Sequence, residues 1–165
     1  MSGVAKFVQR NTERAERGTN LAALAVVPSL HTSIVTCMDA RMDLYDLFGL
    51  EPGEAHVIRN AGGVVTDDVI RSLSISQFRL DTTEILLAQH TECGMSSMTD
   101  DELKNELLEF SGLTPTWSVE SFTDVEASVR QGMMRIRRSP FLKHSLVLRG
   151  FVVDLSAGAM LQEVF

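Results

Sequence analysis

Two cysteines and one histidine are the side chains of this sequence best suited to gripping a metal ion: Cys37, His90 and Cys93. Cys37 and Cys93 are the only cysteines, too few for a disulfide scaffold. His90 and Cys93 are three residues apart, a spacing that puts both on one face where a strand exit turns into a helix. Two thiolates and one imidazole suit zinc, a borderline-soft cation without a geometric preference of its own. Three protein ligands leave one tetrahedral position for solvent, as in catalytic rather than structural zinc sites. An isolated H-x-x-C plus one further cysteine also fits plain core thiols, so the surroundings must decide.

The surroundings are Cys37-Met38-Asp39-Ala40-Arg41. Alternate residues of an extended exit point the same way, so a carboxylate and a guanidinium stand beside the thiol. Zinc with two thiolates carries no net charge, so water on it is less acidic than on an all-imidazole site. Asp39 is suited to aim that water and hold it deprotonated. Arg41 can pair with Asp39 through two hydrogen bonds, fixing its direction and keeping it ionised. The same pair could instead cap the next helix. A third element, Arg59-Asn60-Ala61-Gly62-Gly63, precedes a helical pattern, and its backbone N–H groups could hold an anionic oxygen such as that of bicarbonate. Asn60, Gly62 and Gly63 are therefore candidate substrate-binding residues, although Gly-Gly before a helix also serves tight packing. Met38, Met42, Met95 and Met98 lie near the ligands in sequence and either line an apolar cleft or fill the core.

The elements that position these residues alternate between strand and helix. The β-branched run 31–37 reads as a strand ending at Cys37. A short helix pattern (Leu44, Leu47, Phe48) stops at Gly49. Residues 55–60 read as a second strand, and Val65 to Phe78 as a helix. Residues 84–89 form a near-continuous apolar run, suited to a parallel strand buried on both faces, and end at His90. Helices are expected over 100–110 and 119–138, a strand over 145–154 with a bend or bulge at Gly150, and an edge strand over 158–164. This order predicts an α/β fold with a mostly parallel central β-sheet flanked by helices. Ligands in such sheets gather at the carboxyl ends of strands, where both cysteines fall. Residues 3–17 suggest an N-terminal helical arm whose small apolar face (Val4, Phe7, Val8) needs a surface to lie on; a frayed terminus is the other reading.

A length of 165 residues favours one core. The formal charge of −7 argues against a nucleic-acid partner. The basic cluster Arg130, Arg135, Arg137, Arg138 and Lys143 is read as a solvated helix face. No apolar run is long enough to cross a bilayer, and the N-terminus lacks the pattern of a secretory signal, so a cytoplasmic location is expected.

Three blocks together, C-M-D-A-R at 37–41, H-V-I-R-N-A-G-G at 56–63 and H-T-E-C-G-M at 90–95, resemble the β-carbonic anhydrase family. The tail at 148–158 is similar to the family's closing strands, and the likeness runs over most of the chain from His31 onward. Short length and the M-D-A-R and G-G variants look most like the compact, archaeal-type branch, which includes carbonyl sulfide hydrolase-like members. The resemblance implies one zinc ion per subunit on Cys37, His90 and Cys93, with Asp39 and Arg41 as the catalytic dyad. It also implies a homodimer, often paired into a homotetramer, in which residues 1–27 pack on the partner and residues 28–165 form the catalytic domain. Some bacterial members have a bicarbonate-sensing pocket around a tryptophan just before the first zinc cysteine; Ser33-Ile34-Val35-Thr36 stands there instead, so that inhibition is not expected.

The expected activity is zinc-dependent reversible hydration of carbon dioxide to bicarbonate, with metal-activated water attacking carbon. The alternative is hydrolysis of carbonyl sulfide or carbon disulfide at the same site, since all three molecules are linear, apolar and attacked at carbon. A non-enzymatic zinc-binding or redox-sensing module is a third reading, and the dyad argues against it. His31, His56 and His144 are chemically able to relay a proton, and sequence prefers none of them.

Overall fold

The computed structural model describes residues 2–16, 18, 20–144 and 147–165. Five strands make one sheet: β1 (Thr32–Cys37), β2 (Ala55–Asn60), β3 (Glu84–His90), β4 (Val147–Asp154) and β5 (Met160–Val164), in the order β2-β1-β3-β4-β5. The first four are parallel and β5 runs antiparallel along β4. The α/β architecture expected from the sequence is the one observed. Residues 145 and 146, placed in the fourth strand by the sequence reading, lie outside the described residues.

The helices are α1 (Gly3–Glu16), α2 (Leu44–Leu47), α3 (Asp67–Arg79), α4 (Asp100–Ser111) and α5 (Val125–Arg138). Each start has a local cause. The side chains of Thr66, Thr99 and Asp124 accept hydrogen bonds from the first turns of α3, α4 and α5, replacing bonds that helix ends leave unmade. Thr99 and Glu102 do so reciprocally as a capping box.

One face of the sheet carries the main core, where Val35, Leu87 and Val152 pack against Val69 and Leu73 of α3 and Val129, Met133 and Ile136 of α5. Each such side chain contributes about 1.5–3 kcal/mol when fully removed from water. The other face buries Ala88, Phe151 and Val153 against Met42 and Leu44. The fold thus clamps β1 and β3, whose carboxyl ends carry Cys37 and His90.

Two sequence expectations change. Gly150 makes no bulge: it pairs in unbroken register with Leu87 on one side and Val164 on the other. A Cβ there would lie 2.6 Å from Val129 Cγ1 and 2.7 Å from Met133 Sδ, so glycine lets α5 close on β4. The helix expected from Val119 starts only at Val125, because Glu120 has φ +63° and Asp124 caps the helix. Residues 119–124 instead form a loop that reaches the ligand cluster.

Candidate metal centre

Cys37 is the last residue of β1, His90 the last of β3, and Cys93 follows after one turn. Neighbouring parallel strands end side by side, and this converts 53 residues of separation in sequence into proximity in space. The candidate ligand atoms of all three residues lie within 4.8 Å of one another, and no other such group occurs among the described residues. The two sulphurs are 3.9 Å apart. That matches roughly 3.8 Å, the edge of a tetrahedron with metal–sulphur bonds of about 2.3 Å.

The donor set fits zinc by a second criterion. His90 is 0% exposed, and its Nδ1 lies 2.8 Å from the carbonyl of Thr91. That bond makes Nδ1 the protonated nitrogen and leaves Nε2 a lone pair. Nε2 is buried without a hydrogen-bond partner. A buried acceptor left unpaired costs about 1–3 kcal/mol, and an orphan nitrogen beside two thiols is an acceptor that a bound cation would satisfy.

The hydrogen bond from Cys93, more than any other cause, lowers the Cys37 thiol, against burial, and His90 and the backbone amide of Asp39 add to it. Cys93 is pushed up, first by holding that bond to Cys37 and then by burial. Burial opposes charge on His90, but the neighbouring Cys37 sulphur, the Thr91 carbonyl and the Asp39 carboxylate together raise its pKa.

Asp39 and Arg41 form the two-pronged pair. Arg41 Nε donates to Oδ1 at 3.0 Å and Nη2 to Oδ2 at 2.8 Å, and the Arg41 amide donates to Oδ1 at 2.9 Å. These bonds hold the Asp39 carboxyl well below the usual carboxylate range. Oδ2 stands 3.7 Å from His90 Nε2. Arg41 is itself steadied by the Glu92 carbonyl at 3.0 Å, a group turned toward it because Glu92 has φ +56°.

Residues 59–63 strap the end of β1. Arg59 donates to the carbonyls of Cys37 and Asp39 at 2.9 and 2.7 Å, fixing the loop that carries both. Asn60 Nδ2 donates to the Val64 carbonyl at 2.8 Å, and its Oδ1 is a buried acceptor without a partner. Gly62 and Gly63 both have left-handed backbones, with φ of +77° and +62°. A Cβ on Gly63 would lie 2.8 Å from the Cys37 nitrogen, so only glycine lets the strap touch β1.

An apolar cluster encloses the sulphurs: Met95 and Val119 are buried with them, and Ala61, Met98, Leu103 and Phe122 pack alongside. Of the four methionines, Met95 and Met98 reach the site, Met42 belongs to the other core and Met38 is exposed. Val119, Phe122, Glu92 and Thr91 were missed as site residues. A loop read as helix concealed the first two, and the other two act through carbonyls, which sequence does not display. His31 and His56 bond elsewhere, to the Asp81 carbonyl and the Ser76 hydroxyl.

Comparison with known proteins agrees with this geometry. The family model for carbonic anhydrase matches residues 32–117. The chain is 53% identical over 137 residues to β-carbonic anhydrase 1 of Mycobacterium tuberculosis, covering 83% of this chain and 84% of the relative. It is 31% identical over 146 residues to a carbon disulfide hydrolase of Acidithiobacillus thiooxidans, covering 76% of this chain and 73% of that one. A crystal structure of carbonic anhydrase from Streptococcus mutans superposes with a TM-score of 0.92 at 36% identity, over 100% of this chain and 99% of that one. By fold, by motif and by kinship, the chain belongs to the β-carbonic anhydrase family.

Proposed function

We propose that the protein catalyses the reversible hydration of carbon dioxide to bicarbonate, with one zinc ion held by Cys37, His90 and Cys93. The observation that carries this is the buried, unpartnered Nε2 of His90 facing two sulphurs beside an Arg-anchored carboxylate. Zinc bound there supplies Lewis acidity, lowering the pKa of water so that hydroxide is available near neutral pH.

The chain's own residues do the rest. Asp39 accepts a proton-bearing edge of the reacting water and aims its lone pair. Arg41 engages both Asp39 oxygens and so holds the carboxylate ionised and fixed in direction beside the candidate ligands. Ala61, Met95 and Phe122 supply apolar contact suited to a molecule without a dipole. Asn60, Gly62 and Gly63 form the substrate-side wall, supported by the free Asn60 Oδ1 and by the close seat of the two glycines on β1.

Residues 1–27 are assigned as an arm that packs on a partner subunit of a homodimer or homotetramer. In support, α1 buries no residue, and Val4, Phe7 and Val8 are 72%, 66% and 62% exposed. A groove of about 850 Å³ lined by Ile70, Ile75, Phe78 and Phe141 offers an apolar seat of the right kind. No helix among the described residues is long and apolar enough to cross a membrane, which agrees with action in the cytoplasm.

Hydrolysis of carbonyl sulfide or carbon disulfide is the second reading, supported by the carbon disulfide hydrolase relative. Parallel initial rates on zinc-loaded protein separate the two. Stopped-flow with a pH dye should report carbon dioxide hydration well above an Asp39→Ala control. Sulfide release from carbonyl sulfide that outpaces hydration would transfer the assignment to the second reading.

A further inference from the structure

Thr91 lies between the candidate ligands His90 and Cys93, and neither the donor set nor the dyad uses its side chain. It is the first residue after β3. Its amide donates to the Val153 carbonyl at 3.0 Å, which carries the β3–β4 ladder one step past His90. Its Oγ1 accepts from the Leu155 amide at 3.1 Å. Its carbonyl accepts from His90 Nδ1 at 2.8 Å. One residue thus joins the end of β4 to the ring of a buried candidate ligand.

The corner that Thr91 grips is itself well anchored. A short turn, Leu155–Ala157, follows β4. The Asp154 side chain accepts from the amides of Ser156 and Ala157 at 2.9 and 3.3 Å. The remaining amide of that turn is that of Leu155, and the Thr91 hydroxyl takes it. The Leu155 side chain packs on the core that buries Phe151 and Val153, so this donor has a fixed place. Thr91 is therefore pinned at its amide and at its Cβ branch, which leaves its carbonyl little freedom to turn. That carbonyl matters because an imidazole rotates easily about its Cβ–Cγ bond. The bond at Nδ1 selects the setting that brings Nε2 within reach of both sulphurs.

We infer that Thr91 is a positioning residue: its hydroxyl, seated on the Leu155 amide, locks its own peptide against the end of β4, and the carbonyl of that peptide holds the His90 ring in the tautomer and direction that metal binding needs. The effect is on geometry. A ring held at Nδ1 presents the Nε2 lone pair along one line, and a ligand held this way releases metal slowly. Without the hydroxyl, the Leu155 amide loses its acceptor and the Thr91 peptide keeps only its amide bond to Val153. The influence of the Thr91 side chain passes through its own carbonyl to His90.

This inference rests on the reading of His90 as a metal ligand, and its test reads the metal and the ring rather than turnover. Thr91→Val keeps the β-branched shape and removes the acceptor. Zinc release to a chelator should accelerate about tenfold, the scale for losing a group that orients a ligand. In zinc-loaded protein with isotope-labelled histidine, the His90 Nδ1 proton should also exchange with solvent faster than in wild type. Thr91→Ser keeps the oxygen and should match wild type in both measurements. Release and exchange in Thr91→Val equal to wild type would overturn the inference, and so would a Thr91→Ser protein as impaired as Thr91→Val. Should Thr91→Val not fold, wild-type protein decides. Its Leu155 amide and His90 Nδ1 proton should be protected from exchange to the same degree, and a Leu155 amide that exchanges as freely as one in an open turn defeats the proposal. His90→Ala keeps the two readings apart. Zinc lost from His90→Ala with a silent Thr91→Val strikes this inference only. Absent hydration with Thr91→Val behaving as expected strikes the proposed activity only.

Discussion

Asp39 sits two residues beyond a candidate ligand and receives three hydrogen bonds from Arg41. Those bonds make it a permanently charged acceptor at working pH, because they stabilise the ionised form alone. Asp39→Asn keeps the shape and removes the charge. We expect zinc content to be unchanged and turnover to fall by about 10²–10³-fold, the range for loss of a positioned proton acceptor. The same pair leaves a mark on stability with a definite sign. A carboxyl whose folded pKa is depressed stabilises fully above its ordinary value, about 3.9, and loses this as pH falls below it. The gap in urea midpoint between wild type and Asp39→Asn should therefore narrow from pH 7 to pH 3. A gap that widened in acid would mean that Arg41 does not hold the charge.

The three candidate ligands and the dyad were legible in the sequence because each lies in a contiguous block at a strand end, where residue type and spacing say almost everything. Arg59, Glu92 and Thr91 were not, because each works through a backbone carbonyl whose direction depends on φ and ψ. The contact of Gln89 was hidden for a related reason: it donates to the carbonyl of Gly62, 27 residues earlier.

At the scale of elements, the strap over residues 61–63 decides whether β1 and the site keep their shape. Its glycines are required by contact, not by flexibility. Gly63→Ala places a Cβ 2.8 Å from the Cys37 nitrogen and the Thr36 carbonyl carbon, at φ +62°. Neither atom can yield, since both belong to a buried central strand. The expected loss is about 2–4 kcal/mol of stability, from backbone strain and overpacking together, read from urea unfolding. A cost within about 0.5 kcal/mol of zero, typical of surface changes, would show that the strap lifts easily from β1. The loop over residues 119–124 is held with similar care. Asp100 accepts from the amides of Glu120 and Ser121 and from the Ser121 hydroxyl, and Arg135 bonds Glu120 at 2.7 Å. Apolar spacing alone extended α5 backward to Val119. The positive φ of Glu120 and the cap at Asp124 prevailed, since an apolar residue over the sulphurs gains more than one further helical turn.

At the scale of the molecule, alternation made the mostly parallel sheet readable, and amphipathic spacing made the uncovered face of the N-terminal helix readable, but neither gave the strand order β2-β1-β3-β4-β5. The helix α1 touches no core, and β2 is an edge strand with Val57 exposed. Fourteen helical residues are marginal in water by themselves, so a helix that buries no residue would gain from a surface to lie on. Deleting residues 2–16 should shift the protein to a smaller species in analytical ultracentrifugation, with the spectrum of the sheet domain retained. An unchanged sedimentation coefficient, corrected for mass, would leave the arm without its assigned role. A cation held by the three candidate ligands would act on the whole molecule too, because its binding free energy adds to folding.

The proposed activity depends on one ion held by Cys37, His90 and Cys93. Zinc content and carbon dioxide hydration, measured on the same samples during stepwise chelation and reloading, test it most directly. Fully active protein should hold one zinc per chain, with activity proportional to zinc, and Cys93→Ser should have neither zinc nor activity. Full turnover from protein stripped of metal would contradict it.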